Sequence, residues 1–166
     1  MAEILEVVDE NNQVIGTESR KKVHETGLRH RVVHVLIVNS KNEEILLQQR
    51  SEKMDTYPGY YTSAVAGHLE VGEDYLSAAK RELKEEMGFE GTPEKITSVS
   101  ADETSNAEFV DVFIFKTDEK PVVQEEEISG LKWIKINELK NAIESDSIKL
   151  TPMAKVVLKK FLEVQK

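Results

Sequence analysis

The chain has 166 residues, which favours one domain with a substantial core, and we expect a single domain over residues 1–166. Acidic residues outnumber basic ones by 31 to 22, and the net charge of −9 argues against binding a nucleic-acid polymer through a basic surface. The sequence has no cysteine, which excludes disulfides, thiolate nucleophiles and zinc–thiolate sites together.

The predicted elements begin with an N-terminal hairpin over residues 3–18, in which two short alternating segments flank a polar turn. No signal peptide is recognisable in this region, and no apolar run approaches the roughly 18 residues that span a bilayer. We therefore expect a cytoplasmic protein with no membrane partner. Residues 20–28 are basic and end near a glycine, and we interpret them as a connector.

Hydrophobic periodicity then predicts a series of strands and helices with a central helix between them. The predicted strands cover residues 31–39, 44–50, 62–66, 95–101, 109–117 and 131–136, and helices begin at residues 137 and 151. Trp133, near the end of the last strand, is assigned to the core. Strands on both sides of a central helix, with a closing C-terminal helix, predict an α/β sandwich around a mixed sheet.

The central helix lies within residues 67–89, the most informative segment of the chain. Gly67 to Gly72 is loop-like, Glu73 and Asp74 place negative charge at the predicted helix start, and Gly88 marks its end. Residues at helical spacing predict the buried stripe of this helix: Leu76, Ala79, Leu83 and Met87.

Three glutamates, Glu82, Glu85 and Glu86, fall within about 100° of one another on a face turned away from that stripe. Acids are unfavourable at a helix C-terminus, so we expect a cation to offset them. Carboxylate oxygens suit Mg²⁺ or Mn²⁺. Arg81 would hold one carboxylate through a bidentate pair. The alternatives are a solvated acidic face and an ordinary helix ion pair for Arg81.

Residues 67–89 resemble the Nudix box, whose specified positions are all filled: Gly67, Glu73, Arg81, Glu82, Leu83, Glu85, Glu86, Gly88 and Phe89. The resemblance implies the Nudix fold, an α/β/α sandwich around a mixed β-sheet. It also implies metal-dependent hydrolysis of a diphosphate bond, which we expect in a nucleoside diphosphate derivative. The ion would be held by Glu82, Glu85, Glu86 and the carbonyl of Gly67, with Arg81 in a supporting catalytic role.

Outside the box, the chain resembles the branch of the family that contains isopentenyl diphosphate isomerase. The matching segments, in the same order and spacing, are residues 30–38, 45–51, 57–62 and 67–68. The resemblance places His30 and His68 at the positions of metal-ligand histidines, with His24 as a looser candidate. Glu108 resembles a glutamate on a later strand of those enzymes. Hydrogen-bonded structural histidines are the alternative.

Two departures from the isomerases decide the predicted chemistry. Ala66 stands where they have a catalytic cysteine, and Asn106 stands where they have a second acid. Isomerisation requires a proton donor and a proton acceptor, and alanine can be neither. The intact box therefore favours a hydrolase. An isomerase and a non-catalytic nucleotide-binding module remain the alternatives.

Four further residues are candidates around this centre. Arg31, Arg50 and His68 are candidates for contact with substrate phosphate, although ordinary surface charge would also explain the arginines. In hydrolases of the family, an acid in the loop before the strand at 131–136 supplies a metal ligand or the general base, and Glu127 is our choice; a solvated loop is the alternative. We expect a small-molecule diphosphate as partner, and the sequence leaves room for a homodimer.

Overall fold

The computed structural model describes residues 3–104, 106–123 and 126–165, and within them the chain forms nine strands and four helices. The strands β1 to β9 are Ile4–Val8, Val14–Ser19, His30–Val38, Glu44–Arg50, Tyr61–Ser63, Val65–His68, Glu94–Val99, Glu108–Lys116 and Ile128–Lys135. The helices α1 to α4 are Arg20–Thr26, Tyr75–Met87, Ile136–Ser145 and Pro152–Val164, and a short 3-10 helix covers Ala101–Glu103.

The long strand β3 organises the main sheet. It pairs in parallel with β8 from His30↔Glu108 to Val38↔Lys116. Its other edge pairs with two antiparallel strands, with β6 near the N-terminal end and with β4 near the C-terminal end. β4 is flanked by β5 and β9, and β7 lies outside β8. The sheet is therefore mixed, as predicted, while β1 and β2 form a separate antiparallel hairpin.

Helices cover both faces of this sheet because β3 is apolar on both sides. Its residues Val33, Val35 and Ile37 pack in one cluster with the buried side of α2. The alternate residues Val32, Leu36 and Val38 pack in a second cluster with α3 and α4. A strand that is buried on both faces is typical of α/β folds. The predicted α/β/α sandwich is thus confirmed, and α2 packs on one face of the sheet.

Residues 20–28 form a helix followed by its cap, and our prediction of a connector was wrong. The Ser19 side chain caps the start of α1 by accepting a hydrogen bond from the Lys22 N–H at 3.2 Å. Gly27 ends it in the left-handed conformation, with φ of 68°. Val23 is its single buried residue, so the sequence carries no amphipathic stripe from which to predict the helix.

Three other assignments also differ from the sequence-based predictions. Gly67 and His68 belong to β6 and not to a loop, because they pair with Val33 and Val32 of β3. In α2, Leu76 is 42% exposed, and the buried residues are Ala78, Ala79, Leu83 and Met87. Trp133 is 37% exposed, and its predicted place in the core is wrong.

Among the described residues, no helix is both long enough and apolar enough to cross a membrane.

Candidate active site

Two caps define the ends of α2, the helix that packs beside β6. The Asp74 side chain accepts a hydrogen bond from the Ser77 N–H at 2.7 Å, and Gly88 ends the helix in the left-handed conformation, with φ of 74°. The predicted start and end of the helix are confirmed. Because the stripe ending in Leu83 and Met87 is buried against the sheet, the neighbouring Glu82 and Glu86 lie at the edge of that contact.

Glu82 reaches the sheet at Gly67. A Cβ built on Gly67 would lie 2.7 Å from Glu82 Oε2, a distance that side-chain carbons essentially never adopt. Glycine is therefore required here for a close approach between backbone and carboxylate, since any side chain would displace Glu82. Gly67 and the carboxylate of Glu82, two of the residues that the resemblance implies for a metal site, are thus in close approach.

Arg81 connects the glutamates of α2 to the start of the box. Its Nε and Nη2 each donate to one oxygen of Glu73 at 2.8 Å, which makes a bidentate pair. Its Nη1 donates to Glu82 Oε1 at 2.7 Å and to Glu85 Oε2 at 3.3 Å. Nη2 also donates to the carbonyl oxygen of His68 at 3.1 Å. One guanidinium therefore orients two of the clustered acids relative to β6.

Glu86 is held by two donors from the sheet. The Ala66 N–H donates to its Oε2 at 3.1 Å, and Gln48 Nε2 donates to its Oε1 at 3.2 Å. Burial, together with the neighbouring charge of Glu82, raises the pKa of the Glu86 carboxyl well above its usual range. Burial also raises the pKa of Glu82, against the opposing effect of Arg81. A bound cation would relieve this repulsion.

The donor set fits a hard divalent ion. It consists of the carboxylates of Glu82, Glu85 and Glu86, which are oxygen donors of the kind that Mg²⁺ and Mn²⁺ bind in proteins. Glu85 differs from the other two because its side chain is 57% exposed and is held by Arg81 alone. It therefore lies on the solvent side of the cluster.

Three histidines converge on the opposite side of β6. His24 of α1, His30 of β3 and His68 of β6 have ring centroids 5.2 to 5.3 Å apart. One ring nitrogen from each lies within 4.8 Å of the others, and the Nε2 atoms of His24 and His68 are 3.2 Å apart. Burial and the neighbouring His30 lower the pKa of His68 to about 3, so this ring is neutral.

Glu108 faces this histidine cluster across the β3–β8 pair. His30 Nδ1 is 2.8 Å from the Leu28 carbonyl oxygen, an arrangement that places the proton on Nδ1. Its buried Nε2 lies 3.4 Å from Glu108 Oε2 and has no hydrogen-bond partner among the described residues. Burial would raise the pKa of Glu108, but His30 and the neighbouring histidines hold it below the usual value. A proton on Nε2 or a bound cation would satisfy both atoms.

The three remaining predicted residues lie away from the carboxylate cluster or at its margin. Arg31 donates from Nε to Asn12 Oδ1 at 2.8 Å and from Nη2 to the Asn12 carbonyl oxygen at 2.6 Å, so the N-terminal hairpin engages its guanidinium. Arg50 donates to Thr56 through both Nε and Nη2. Glu127 is exposed, and its carbonyl oxygen accepts from the Ser51 N–H beside Arg50.

Gln48 and His34 are site residues that the sequence analysis did not identify. Gln48 lies in a polar run at the end of β4, and its reach to Glu86 depends on a bend in the chain at Ala64 that no local pattern reveals. His34 is buried on β3 opposite Ala66, and its Nδ1 lies 2.9 Å from Ser63 Oγ. Its position within an apolar run was the available signal.

Comparison with known proteins finds a family match and several similar sequences. The NUDIX domain model matches residues 28–154. An isopentenyl-diphosphate Delta-isomerase of Photorhabdus laumondii is 31% identical over 150 residues, which cover 87% of this chain and 84% of that protein. A Nudix hydrolase of Clostridium acetobutylicum, described as uncharacterised, is 30% identical over 155 residues, covering 86% and 75% of the two chains.

A solved structure resembles the whole chain. The crystal structure of a protein from Deinococcus radiodurans superposes with a TM-score of 0.82 at 26% identity, covering 96% of this chain and 99% of that one. Because relatives named as isomerases and as hydrolases are matched at similar identity, overall likeness does not separate the two activities. The residues of the site must do so.

Proposed function

The chain belongs to the Nudix family of pyrophosphohydrolases, and from that premise we propose that it uses Mg²⁺ or Mn²⁺ to hydrolyse a diphosphate bond in a nucleoside diphosphate derivative. The observation that carries the proposal is the cluster of Glu82 and Glu86 against β6. Glu82 fills the space left by Gly67, and Glu86 accepts hydrogen bonds from the sheet. Two partly buried acids whose pKa values are both raised form a site that a divalent ion would stabilise.

Glu82, Glu85 and Glu86 would hold the ion, with the Gly67 carbonyl as a further ligand. Such an ion would polarise the phosphoryl oxygens and lower the pKa of a bound water. Arg81 keeps Glu82 and Glu85 in place through hydrogen bonds of 2.7 and 3.3 Å. Ala66 fixes Glu86 through its N–H. The protein thus contributes carboxylate ligands whose positions are fixed by hydrogen bonds before an ion binds.

Glu127 is the proposed general base, and Arg50 is the proposed phosphate contact. Both lie at one end of the β4–β9 pair, where the Glu127 carbonyl accepts from Ser51 next to Arg50. The charge of Glu127 also acts on the Arg50 guanidinium. An exposed carboxylate is free to accept a proton from water. Arg31 is a weaker candidate because Asn12 already occupies two of its donors, and neutral His68 would contact phosphate without adding charge.

The rival activity is isomerisation of a prenyl diphosphate, which the histidine cluster and Glu108 favour. Against it, Ala66 offers no proton-transferring group, and no cysteine occurs in the sequence. Alanine cannot protonate or deprotonate an allylic carbon. The intact set of box glutamates therefore supports water attack at phosphorus. A module that merely binds nucleotide would have no need for the two acids, Glu82 and Glu86, that lie together against β6.

The histidine cluster supports a second, independent metal site. His24, His30 and His68 supply nitrogen donors and Glu108 supplies a carboxylate, a combination that suits Zn²⁺ or Mn²⁺. The buried Nε2 of His30, which faces Glu108 without a hydrogen bond, is the specific support. Metal analysis of purified protein should find about one equivalent of such an ion, and His30→Gln should lose it while retaining the melting shift caused by Mg²⁺. Equal metal content in both proteins would contradict the second site.

A substrate screen tests the main proposal. Nucleoside diphosphate derivatives and prenyl diphosphates are incubated with wild type or with Glu86→Gln, in the presence of Mg²⁺, Mn²⁺ or EDTA, and the products are identified. We expect cleavage between the two phosphorus atoms of at least one nucleotide, and loss of that cleavage in EDTA and in the variant. Metal-independent cleavage, or prenyl isomerisation without nucleotide hydrolysis, would refute the proposal.

A further inference from the structure

Gln48 stands out because it is a buried amide that the proposed mechanism does not use. It lies on β4, is 7% exposed, and faces the same side of the sheet as Leu46, which packs in the cluster with α2. Its Nε2 donates to the Ala64 carbonyl oxygen at 2.8 Å and to Glu86 Oε1 at 3.2 Å. Both N–H groups of one amide are therefore used, one for the backbone and one for a proposed metal ligand.

The Ala64 carbonyl sets the orientation of this amide. A carbonyl oxygen accepts and cannot donate, so the NH₂ end of Gln48 must point toward Ala64. The same nitrogen then necessarily presents its second hydrogen toward Glu86. Ala64 lies at the bend between β5 and β6, on the segment that continues to Ala66 and Gly67. The anchor of Gln48 and the backbone donor to Glu86 therefore belong to one short stretch of chain.

Gln48 and Ala66 donate hydrogen bonds to different oxygens of the Glu86 carboxylate. Gln48 donates to Oε1 and the Ala66 N–H donates to Oε2. Each carboxylate oxygen has capacity for about two hydrogen bonds or metal bonds, so the donor from the sheet does not saturate either oxygen. With a donor on each oxygen, rotation of the carboxylate would break both hydrogen bonds. Its plane is fixed, while its remaining capacity stays available.

We propose that Gln48 is a positioning residue for Glu86, which holds this carboxylate in the orientation that binds the divalent ion. The inference rests on the proposed function, since it concerns a ligand of the same metal. Residues that orient metal ligands typically change metal affinity by about tenfold to a hundredfold when they are replaced. Gln48 acts through Glu86 and is not expected to contact substrate.

The neighbouring Gln49 provides a matched control. It is the same residue type on the same strand, but its side chain points to the opposite face, where Nε2 donates to the Gly59 carbonyl oxygen at 3.1 Å. Replacing Gln49 by methionine removes an amide of equal size and one hydrogen bond to backbone. It leaves the contacts of Glu86 untouched.

The experiment measures Mn²⁺ binding directly, by the signal of free Mn²⁺ in a titration without substrate. Every protein compared, including the wild type, carries His30→Gln in this titration so that the proposed histidine site takes up no Mn²⁺. Gln48→Met, which keeps the length of the side chain without its donors, should weaken Mn²⁺ binding by about tenfold or more. Gln48→Leu, which also lacks the donors, should weaken it to a similar extent and is available if the methionine variant does not fold. Gln49→Met should bind as wild type. In activity assays, raising Mn²⁺ should restore turnover of Gln48→Met without a change in KM for substrate.

The outcomes separate this inference from the proposed function. Wild-type Mn²⁺ affinity in folded Gln48→Met, or an equal loss in Gln49→Met, would overturn the positioning role. If wild type binds Mn²⁺ but hydrolyses no diphosphate, the proposed activity fails while the binding result still decides the role of Gln48. If wild type binds no Mn²⁺, both proposals fail.

Discussion

The carboxylate of Glu82 occupies the space that a side chain at Gly67 would fill, with Oε2 only 2.7 Å from the position of a Cβ. Gly67→Ala should therefore displace Glu82, weaken Mg²⁺ binding and lower turnover by about tenfold to a hundredfold. Gly16→Ala is the control, because a Cβ at Gly16 meets no atom within 4 Å. Measurement of metal affinity and turnover in both variants checks this. Unchanged metal affinity in Gly67→Ala would contradict the close approach.

Replacing either buried acid of the cluster by its amide should separate activity from stability. Glu82→Gln and Glu86→Gln should each lower turnover by orders of magnitude, because a neutral amide is a poor ligand for a hard cation. In the metal-free protein, the same changes should leave the melting temperature equal or higher, since they remove like-charge repulsion. Thermal melting in EDTA and hydrolysis with Mg²⁺ provide the two measurements. Full activity in both variants would falsify the metal-site assignment.

Divalent metal should stabilise the folded protein. A ligand present at about one hundred times its dissociation constant adds about 2.7 kcal/mol to the free energy of unfolding if it binds only the folded state. Millimolar Mg²⁺ or Mn²⁺ should raise the melting temperature, and Glu85→Gln should reduce that rise. Glu90→Gln is the control, because Glu90 is paired with Lys84 outside the cluster. A melting curve that does not change across the titration would indicate a solvated acidic face.

His34 should make the protein less stable in acid. Burial lowers the pKa of His34 to about 4, below the unfolded value of 6.5. As pH falls through this window, the unfolded chain binds the proton first, so the free energy of unfolding falls by about 2 kcal/mol between pH 7 and pH 5 from this group alone. His34→Gln, which can still bond Ser63, should show a correspondingly weaker pH dependence in urea unfolding. Parallel curves for the two proteins would rule out His34 as the source.

The isomerase likeness should not extend to activity. Wild type is expected to leave isopentenyl and dimethylallyl diphosphate unexchanged, because Ala66 lacks a proton to transfer. Ala66→Cys should not restore the exchange, since Asn106 also departs from the isomerase pattern. Product analysis of both proteins with both prenyl diphosphates checks this. Robust isomerisation by wild type would contradict the proposed hydrolase and favour the isomerase.

Local sequence signals were sufficient to predict the elements that have clear caps or a clear hydrophobic pattern. Asp74 and Gly88 directly flank α2 and mark its two ends. The apolar run of β3 is long enough to identify a buried strand. α1 was missed because only Val23 of that helix is buried. Trp133 was misplaced because the sequence does not reveal which face of β9 is buried: the neighbouring Ile134 packs in the core, whereas Trp133 is 37% exposed.

The candidate site likewise has features that local sequence predicts and features that depend on distant parts of the chain. Helical spacing predicted that Glu82, Glu85 and Glu86 converge. The structure brings Glu82 and Glu86 together against β6, while Glu85 lies on the solvent side. The contact of Gln48 with Glu86 joins residues 38 positions apart and depends on the bend at Ala64. Arg31 was a candidate phosphate contact, and the sequence did not reveal that its guanidinium donates hydrogen bonds to Asn12 in the turn of the N-terminal hairpin.

Successive residues of a strand point to opposite sides, and on β6 this separates Gly67, which faces the acids of α2, from His68, which faces the other histidines. The sheet thus separates two clusters of titratable side chains that are adjacent in the chain. A substitution on one face of β6 can therefore change one cluster without altering the distances within the other.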